Sequence, residues 1–236
     1  MGNFKETEKR RLSQFKIYHD SFSDQAKVDG QYRGITRPFC LPREFSEENL
    51  FPEIRDLAVE RFKISSIKWH DGVGSKPSNH LCDSQVSCVN FLMPFYNKPE
   101  SLAELLAPHF PNMSYMMPIE NEWFISFEWI GEENYLQERT PQSGKRTRGA
   151  NCTSTDAAVM FMRSDHKQQI VLIEWKYTES YGSNPLAVSK SGTDRLSIYQ
   201  PIFSDENCPL DKSILPGFES LFYEPFYQLM RQQFLA

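Results

Sequence analysis

The sequence predicts an α/β (α+β) fold in which helices flank a central β-sheet. Two observations carry this prediction: apolar residues recur at helical spacing in several segments, and three separate runs have the composition of β-strands. The strand-like runs are residues 123–130, 153–163 and 169–178. At 236 residues the chain is long enough for one sizeable core, so we expect a single compact domain over residues 46–236. Residues 1–45 are polar and are expected to form a peripheral N-terminal segment.

The predicted helices surround these runs in the sequence. Residues 46–62 carry apolar side chains at helical spacing, and Ser46 can accept hydrogen bonds from the amides of the first turn. A second apolar stripe runs from Leu81 to Leu92 until Pro94 stops it. Shorter helices are predicted in "SLAELLAPHF" and, at the C-terminal end of the sequence, in "EPFYQLMRQQFLA".

Gln85 lies in the middle of the second apolar stripe. A buried amide without partners costs about 2 kcal/mol or more. We therefore expect Gln85 to hydrogen-bond to backbone, water or a ligand.

The composition excludes several classes of protein. A formal net charge of -5 gives no global attraction to nucleic acid or to an anionic membrane, so a polyanion must be held by local patches. The five cysteines are odd in number, widely spaced and lack any C-x-x-C pair, so neither a disulfide framework nor a four-ligand zinc site is indicated. The charged start "MGNFKETEKRR" is unlike a signal peptide, and no run reaches the roughly 18 apolar residues of a membrane span. These features predict a reduced, cytoplasmic protein without a membrane partner. They neither predict nor exclude an oligomer.

The run "IVLIEWKYT" (170–178) ends in two opposite charges. Both of its faces are apolar through Ile173, which predicts a central strand covered on both sides. Side chains alternate along a strand, so Glu174 and Lys176 share one face at its end.

A hairpin predicts the partner of these charges. The turn "SDHKQ" (164–168) joins the second and third strand-like runs. If the turn is centred on His166, Asp156 lies opposite Lys176, and a slip of two residues places Asp156 opposite Glu174 instead. In either register Asp156 shares a face with both charges.

Two carboxylates and an ammonium at one end of a sheet allow two interpretations. One is a structural ion-pair cluster in which Lys176 neutralises the acids. The other is a divalent-cation site, where Asp156 and Glu174 supply oxygen ligands and Lys176 holds or helps to deprotonate a water. Mg²⁺ suits such a site because it keeps several waters.

The segments "TSTDAAV" and "IVLIEWK" resemble the PD-(D/E)xK pattern of the restriction-endonuclease-like phosphodiesterase superfamily. Asp156, Glu174 and Lys176 match this pattern, with 17 residues between the two acids. The ordered segments "HLCDSQVSCVNFL", "NYLQER", "RGANCTSTDAA" and "EWKYTESYG" are similar to a bacterial restriction-endonuclease-like family over residues 79–236.

The resemblance implies a mixed sheet flanked by helices and a Mg²⁺-dependent nuclease, most simply an endonuclease acting on double-stranded DNA, in which Mn²⁺ substitutes for Mg²⁺. Asp156 and Glu174 would bind the metal, and Lys176 would position the attacking water. The first core helix of such proteins often supplies another acid, and Gln85 occupies that place here. The alternative function is a catalytically inactive module that kept the nuclease fold for binding or interaction.

Other residues are candidates for supporting roles. Glu128 and Glu138 are reserve metal ligands, although each fits an ordinary surface or strand-end acid as well. Four basic residues precede the Asp156 strand and are placed to neutralise phosphates without reading sequence. They are Arg139, Lys145, Arg146 and Arg148. The alternative is a solvated loop.

Overall fold

The computed structural model describes residues 3–72, 74–138, 144–150 and 152–236. The helices are α1 (Phe4–Tyr18), α2 (Arg55–Ile64), α3 (Ser84–Leu92), α4 (Pro99–Leu106), α5 (Arg195–Ser204) and α6 (Phe226–Leu235). The strands are β1 (Gly30–Tyr32), β2 (Ile35–Arg37), β3 (Met113–Met117), β4 (Ile125–Trp129), β5 (Thr155–Arg163) and β6 (Gln168–Ile173). The predicted combination of helices and a sheet is confirmed.

Contacts within the chain divide it into two compact units. The first unit comprises Met1–Glu128 and Asp156–Glu179, and the second comprises Trp129–Thr155 and Ser180–Ala236. The expected division into a segment 1–45 and a domain 46–236 stays a prediction.

The first unit begins with α1, a helix that the charged sequence of this segment does not predict. Asn3 caps it by accepting a hydrogen bond from the amide of Lys5. On its inner side the fully buried Lys16 donates to the carbonyls of Val28 and Cys40, at 3.0 and 3.2 Å. A buried ammonium is stable only with such partners, so Lys16 fastens α1 to the β1–β2 hairpin region.

The helix predicted from Ser46 begins later than expected. Residues Arg43–Asn49 and Pro52–Ile54 form short 3₁₀ helices, and the α-helix α2 starts at Arg55. Pro52 explains the delay, because a proline disfavours helical geometry in the residue before it, and Phe51 is extended.

The next two helices follow the prediction closely. Asp83 caps α3 by accepting from the amide of Val86 at 2.9 Å, and α3 ends at Leu92, shortly before Pro94. Helix α4 ends at Leu106, near Pro108. Val86, Val89 and Leu92 are buried in the main core of the first unit.

The four-stranded sheet is organised around β5. This strand pairs antiparallel with β3 and with β6, and also neighbours β4. Ala157, Ala158 and Val159 are fully buried, which identifies β5 as the central strand. The prediction that residues 169–178 form the central strand is therefore wrong: among the described strands β6 pairs only with β5, and its residues are half-buried.

The second unit has its own aromatic core. Phe218 and Phe222 are buried, and Phe203 stacks on Phe218 with ring centroids 4.2 Å apart. Tyr199 of α5 and Tyr227 of α6 pack edge to face at 6.2 Å. The predicted C-terminal helix is confirmed as α6. Among the described residues, the structure has no helix of the length and apolar character needed to cross a bilayer.

Candidate functional site

The register of the β5–β6 hairpin places the two predicted acids together. Ala157 pairs with Ile173 and Met162 with Gln168, so continuing the ladder by one step sets Asp156 opposite Glu174. This is the second of the two registers that the sequence allowed. Because directly opposed residues of an antiparallel pair share a face, the two carboxylates lie on the same side of the sheet.

A side-chain hydrogen bond ends the ladder at the site. The Oδ2 atom of Asp156 accepts from the backbone amide of Trp175 at 2.7 Å. The carboxylate thus takes the donor that a strand would give to a neighbouring carbonyl, and β6 ends at Ile173 instead of reaching residue 178. The peptide that joins Glu174 to Lys176 is held against Asp156.

Lys176 contacts Glu174 directly through its ammonium group. The Lys176 side chain is 31% exposed and the Glu174 side chain 17% exposed. The pair therefore lies at the protein surface on one side and in the interior on the other, as a site that receives a solvent-borne ligand requires.

The electrostatics of the pair follow from this burial. Desolvation, with the charge of Glu174 next, raises the pKa of Asp156 to about 7, against the opposing effect of Lys176. Burial disfavours the charged form of Lys176, but its hydrogen bond to Glu174 and the charges of both acids raise its pKa overall. At neutral pH Lys176 is therefore a cation, and Asp156 is a carboxyl group poised to ionise when positive charge arrives.

Gln85 is fully engaged with the protein. Its Oε1 atom accepts from the amide of His70 at 2.7 Å. Its Nε2 atom donates to the carbonyl of Lys68 at 3.1 Å and to Glu128 at 2.6 Å. The expectation that this buried amide is hydrogen-bonded is confirmed. Both of its N–H groups are used, so Gln85 acts as a clamp between the 68–70 segment and β4.

Glu128 is the less obvious acid of the site. It is 1% exposed near the end of β4, and its backbone has φ of +47°, a left-handed conformation that is uncommon for a residue with a side chain. It accepts from Gln85, lies 3.6 Å from Nε2 of His70, and its charge adds to the raised pKa of Asp156. The sequence indicates Glu128 only as a reserve ligand, because nothing in the pattern of the strand predicts the left-handed backbone at this residue.

Asp156 and Glu174 could supply part of the oxygen shell of a hard divalent cation. Within the described residues no group of three His, Cys, Asp or Glu side chains is arranged to hold a metal ion. Two carboxylates are nevertheless the usual protein contribution to a Mg²⁺ site, where waters and substrate oxygens complete the shell. The mutual repulsion of Asp156 and Glu174 is also what a bound cation would relieve.

The segment after Lys176 is held by hydrogen bonds to helix α3 and to helix α1. Glu179 accepts from the amide of Tyr177 at 2.8 Å and from the hydroxyl of Ser84 at the start of α3. The hydroxyl of Tyr177 donates to the buried Glu8 of α1 at 2.5 Å, and Arg11 donates to both. Helix α1 therefore supports the chain one residue beyond Lys176, a contact that spans 169 positions and that no local pattern predicts.

The basic loop before β5 belongs to the second unit. Arg139 lies outside the described residues. The terminal nitrogens of Arg146 donate to the carbonyls of residues 130, 131, 132 and 133 at 2.6–3.1 Å, so all four of their N–H groups bind the chain itself. Lys145 is exposed and Arg148 half-buried, and their predicted contact with phosphates stays a prediction.

Glu138 belongs to a different cluster in the second unit. Its carboxylate accepts from the amide and hydroxyl of Thr153 and from the hydroxyl of Tyr199. These partners explain its position without a metal ion.

A family model described as "Restriction Endonuclease associating with ARP" matches residues 9–236 of the chain. The match includes Asp156, Glu174, Lys176 and Gln85. Comparisons with curated proteins and with solved structures gave no significant match.

Proposed function

The chain belongs to the family of restriction endonucleases associating with ARP, and on this premise we propose that it is a metal-dependent nuclease that hydrolyses phosphodiester bonds of DNA. The proposed substrate is double-stranded DNA and the proposed reaction is endonucleolytic. Mg²⁺ is the proposed cofactor, with Mn²⁺ as a substitute.

The single observation that carries this proposal is the hairpin register. It brings Asp156 opposite Glu174, and Trp175 links the two strands by its hydrogen bond to Asp156. A fold that only needed an ion pair would be served by one acid beside Lys176. A second, half-buried acid raises the free energy of the empty site, which supports a role in binding a cation.

The chain's own residues divide the work as follows. Asp156 and Glu174 would hold the cation through carboxylate oxygens. Gln85 and the buried Glu128 keep β4 and the 68–70 segment fixed beside the site. When bound, the cation would supply Lewis-acid polarisation of the phosphate and a lower pKa for a coordinated water.

Lys176 acts as a cation and not as a base in this proposal. Its raised pKa keeps the ammonium protonated at neutral pH. The ammonium is anchored by Glu174, so it can donate a hydrogen bond to the attacking water or to a phosphate oxygen at a fixed point. This favours orientation and charge stabilisation over the alternative that Lys176 removes a proton.

Cleavage of supercoiled plasmid with and without Mg²⁺ tests the proposal. Lys176→Gln keeps a hydrogen-bond donor on a side chain one atom shorter but removes the charge, and we expect a loss of about 10²-fold or more in rate. The matched control is Lys167→Gln in the β5–β6 turn, which is exposed and should cleave as wild type does. Equal rates for Lys176→Gln and wild type would refute the assignment.

The alternative is a module that has the nuclease fold but no catalytic activity. The hydrogen bond from the amide of His70 to Oε1 of Gln85 favours it, because this amide oxygen is the only atom of Gln85 that could bind a metal ion. Calorimetry with Mn²⁺ separates the two. The nuclease proposal expects binding that Asp156→Asn abolishes, and the inactive module expects no binding that depends on Asp156.

A further inference from the structure

A polar cavity of about 390 Å³ lies in the second unit, and its described lining does not include Asp156 or Glu174. Its walls come from the segment around Thr153, the turn 189–193 and helices α5 and α6. Two arginines, Arg195 and Arg231, are among the lining residues. Neither arginine was a candidate in the sequence, because they lie 36 positions apart on two helices.

Tyr227 holds both guanidinium groups. The Arg231 guanidinium lies 4.5 Å from the centroid of the Tyr227 ring, and the Arg195 guanidinium lies 5.2 Å from it. Arg195 also donates to the carbonyl of Leu186 at 3.0 Å, and Arg231 donates to the hydroxyl of Thr153 at 3.0 Å. These contacts fix two cations beside one cavity, although each contact uses only one N–H donor of its arginine.

Arg231 has a further donor to satisfy. Its Nε atom is buried and has no hydrogen-bond partner among the described residues. A buried donor of a charged group is costly when unpaired. Because Nε is buried, it does not itself face the cavity, and an anion bound beside the guanidinium group would offset part of this cost through its charge.

The acidic residue of the cavity does not cancel this charge. Glu138 is the one carboxylate among the described lining residues, against two guanidinium groups. Its oxygens already accept from Thr153 and Tyr199. Burial, followed by the charge of Glu138, raises the pKa of Tyr199, so the phenol keeps its proton and remains a donor to Glu138. The cavity is left with a net positive charge.

The turn 189–193 adds neutral hydroxyls to the same cavity. Ser189, Ser191 and Thr193 all line it. The turn closes through the amide of Ser189 to the carbonyl of Thr193 at 2.9 Å, and Gly192 takes the left-handed φ of +81° that this closure needs. Hydroxyls near two guanidinium groups form the donor set that tetrahedral oxyanions prefer.

We propose that the cavity between Arg195 and Arg231 binds a phosphate group of the nucleic acid that the first unit cleaves. The identity of the ligand rests on the proposed function, whereas the affinity for phosphate rests on the cavity alone. Two guanidinium groups and three hydroxyls supply hydrogen-bond donors and positive charge for the oxygens of a phosphate. The site would hold the strand without reading its sequence.

The proposal can be tested without cleavage by measuring the binding of a short DNA duplex. Binding is measured by fluorescence anisotropy at several salt concentrations, with EDTA present to remove divalent cations. Arg195→Gln and Arg231→Gln should each weaken binding about tenfold at low salt and reduce the slope of log K against log salt by about one. Lys212→Gln in the same unit removes the same charge from a residue that is not among the cavity's described lining, and should have less effect. Equal affinities and slopes for all three variants would overturn the proposal.

A substitution at the edge of the cavity distinguishes a direct effect on binding from an effect of misfolding. Ser191 is exposed and its hydroxyl forms hydrogen bonds with the hydroxyls of Ser189 and Thr193, so Ser191→Glu should fold with a nearly unchanged melting temperature. It places a negative charge at the cavity and should weaken duplex binding as the arginine variants do, whereas Ser191→Gln should not. Wild-type affinity in Ser191→Glu would contradict the proposal.

Binding of inorganic phosphate distinguishes a site for the phosphates of DNA from a site for free phosphate. Calorimetric binding of phosphate should be lost in Arg231→Gln and Ser191→Glu together with duplex affinity. If phosphate binding is lost but duplex affinity is kept, the cavity takes free phosphate and the nucleic-acid proposal is wrong. If wild type cleaves no DNA with any divalent cation while the cavity variants still lose duplex affinity, the proposed nuclease function fails and the cavity assignment stands.

Discussion

Asp156→Asn should stabilise the metal-free protein, and the gain should grow as the pH rises. Burial beside Glu174 raises the pKa of Asp156 to about 7 from the ordinary value of 3.8 for an aspartate. Between these values the folded state keeps a proton that the unfolded chain has lost, so the wild type loses stability as the pH rises through this window. The loss is of the order of 4 kcal/mol in total, of which about 3 kcal/mol falls between pH 5 and pH 8.

The asparagine variant isolates this effect because it removes the charge and keeps the fold. Its side-chain oxygen can still accept from the amide of Trp175. Urea denaturation in EDTA at pH 5, 6, 7 and 8 gives the free energy of unfolding of both proteins. The matched control is Asp165→Asn in the turn of the same hairpin, where the carboxylate is exposed and pairs with Arg163.

The difference between Asp156→Asn and wild type should widen by about 3 kcal/mol from pH 5 to pH 8. Added Mg²⁺ should restore stability to the wild type and leave the variant unchanged, because a ligand that binds only the folded state stabilises it. Parallel curves for the two proteins would refute the reasoning, since they would mean that Asp156 ionises as freely in the folded state as in the unfolded chain.

Three further substitutions test other parts of the structure by the same denaturation assay. Gln85→Glu sets a second carboxylate against the buried Glu128, so it should destabilise the protein by about 3 kcal/mol at pH 8 and by less at pH 5; equal losses would contradict the clamp. Arg146→Gln removes the donors to four carbonyls and should cost about 3 kcal/mol, whereas exposed Lys190→Gln should change stability by less than about 0.5 kcal/mol. Lys16→Met removes the hydrogen bonds of a buried ammonium to the carbonyls of Val28 and Cys40 and its ion pair with Asp29, and should cost about 3 kcal/mol; a neutral result would show that α1 is held by other contacts.

The elements with a strong local signal could be predicted from the sequence. Helix α3 has an aspartate cap, a largely apolar face and a proline just past its end, and its C-terminal end at Leu92 agrees with the prediction. The β5–β6 hairpin has two apolar runs around a polar turn. In both cases local propensity and tertiary packing favour the same structure.

Elements that depend on distant contacts were missed. The sequence of α1 is charged, and the helix is stabilised by the buried Lys16 and by the bond from Tyr177 to Glu8. Strand β3 is rich in methionine, which has no strong preference for strands, and it forms by pairing with β5. Apolar residues on both faces of β6 suggested a central strand, but among the described strands β6 pairs only with β5, and Val171 and Ile173 on one of its faces pack against the core.

In the candidate site, too, some features follow from local sequence patterns and others depend on distant contacts. Parity alone predicted that Asp156, Glu174 and Lys176 share a face, because only an odd shift in register would separate them. The role of Glu128 depends on a left-handed residue in β4, and the engagement of Arg146 depends on how the chain folds back at residues 130–133. Neither follows from spacing in the sequence.

The location of a bound Mn²⁺ ion tests the central claim most directly. Crystals soaked in Mn²⁺ and measured at the manganese absorption edge should show an anomalous peak between the carboxylates of Asp156 and Glu174, beside the ammonium of Lys176. The same soak of Asp156→Asn crystals should show no peak there. A wild-type crystal saturated with Mn²⁺ that shows no anomalous density between these two acids would contradict the account.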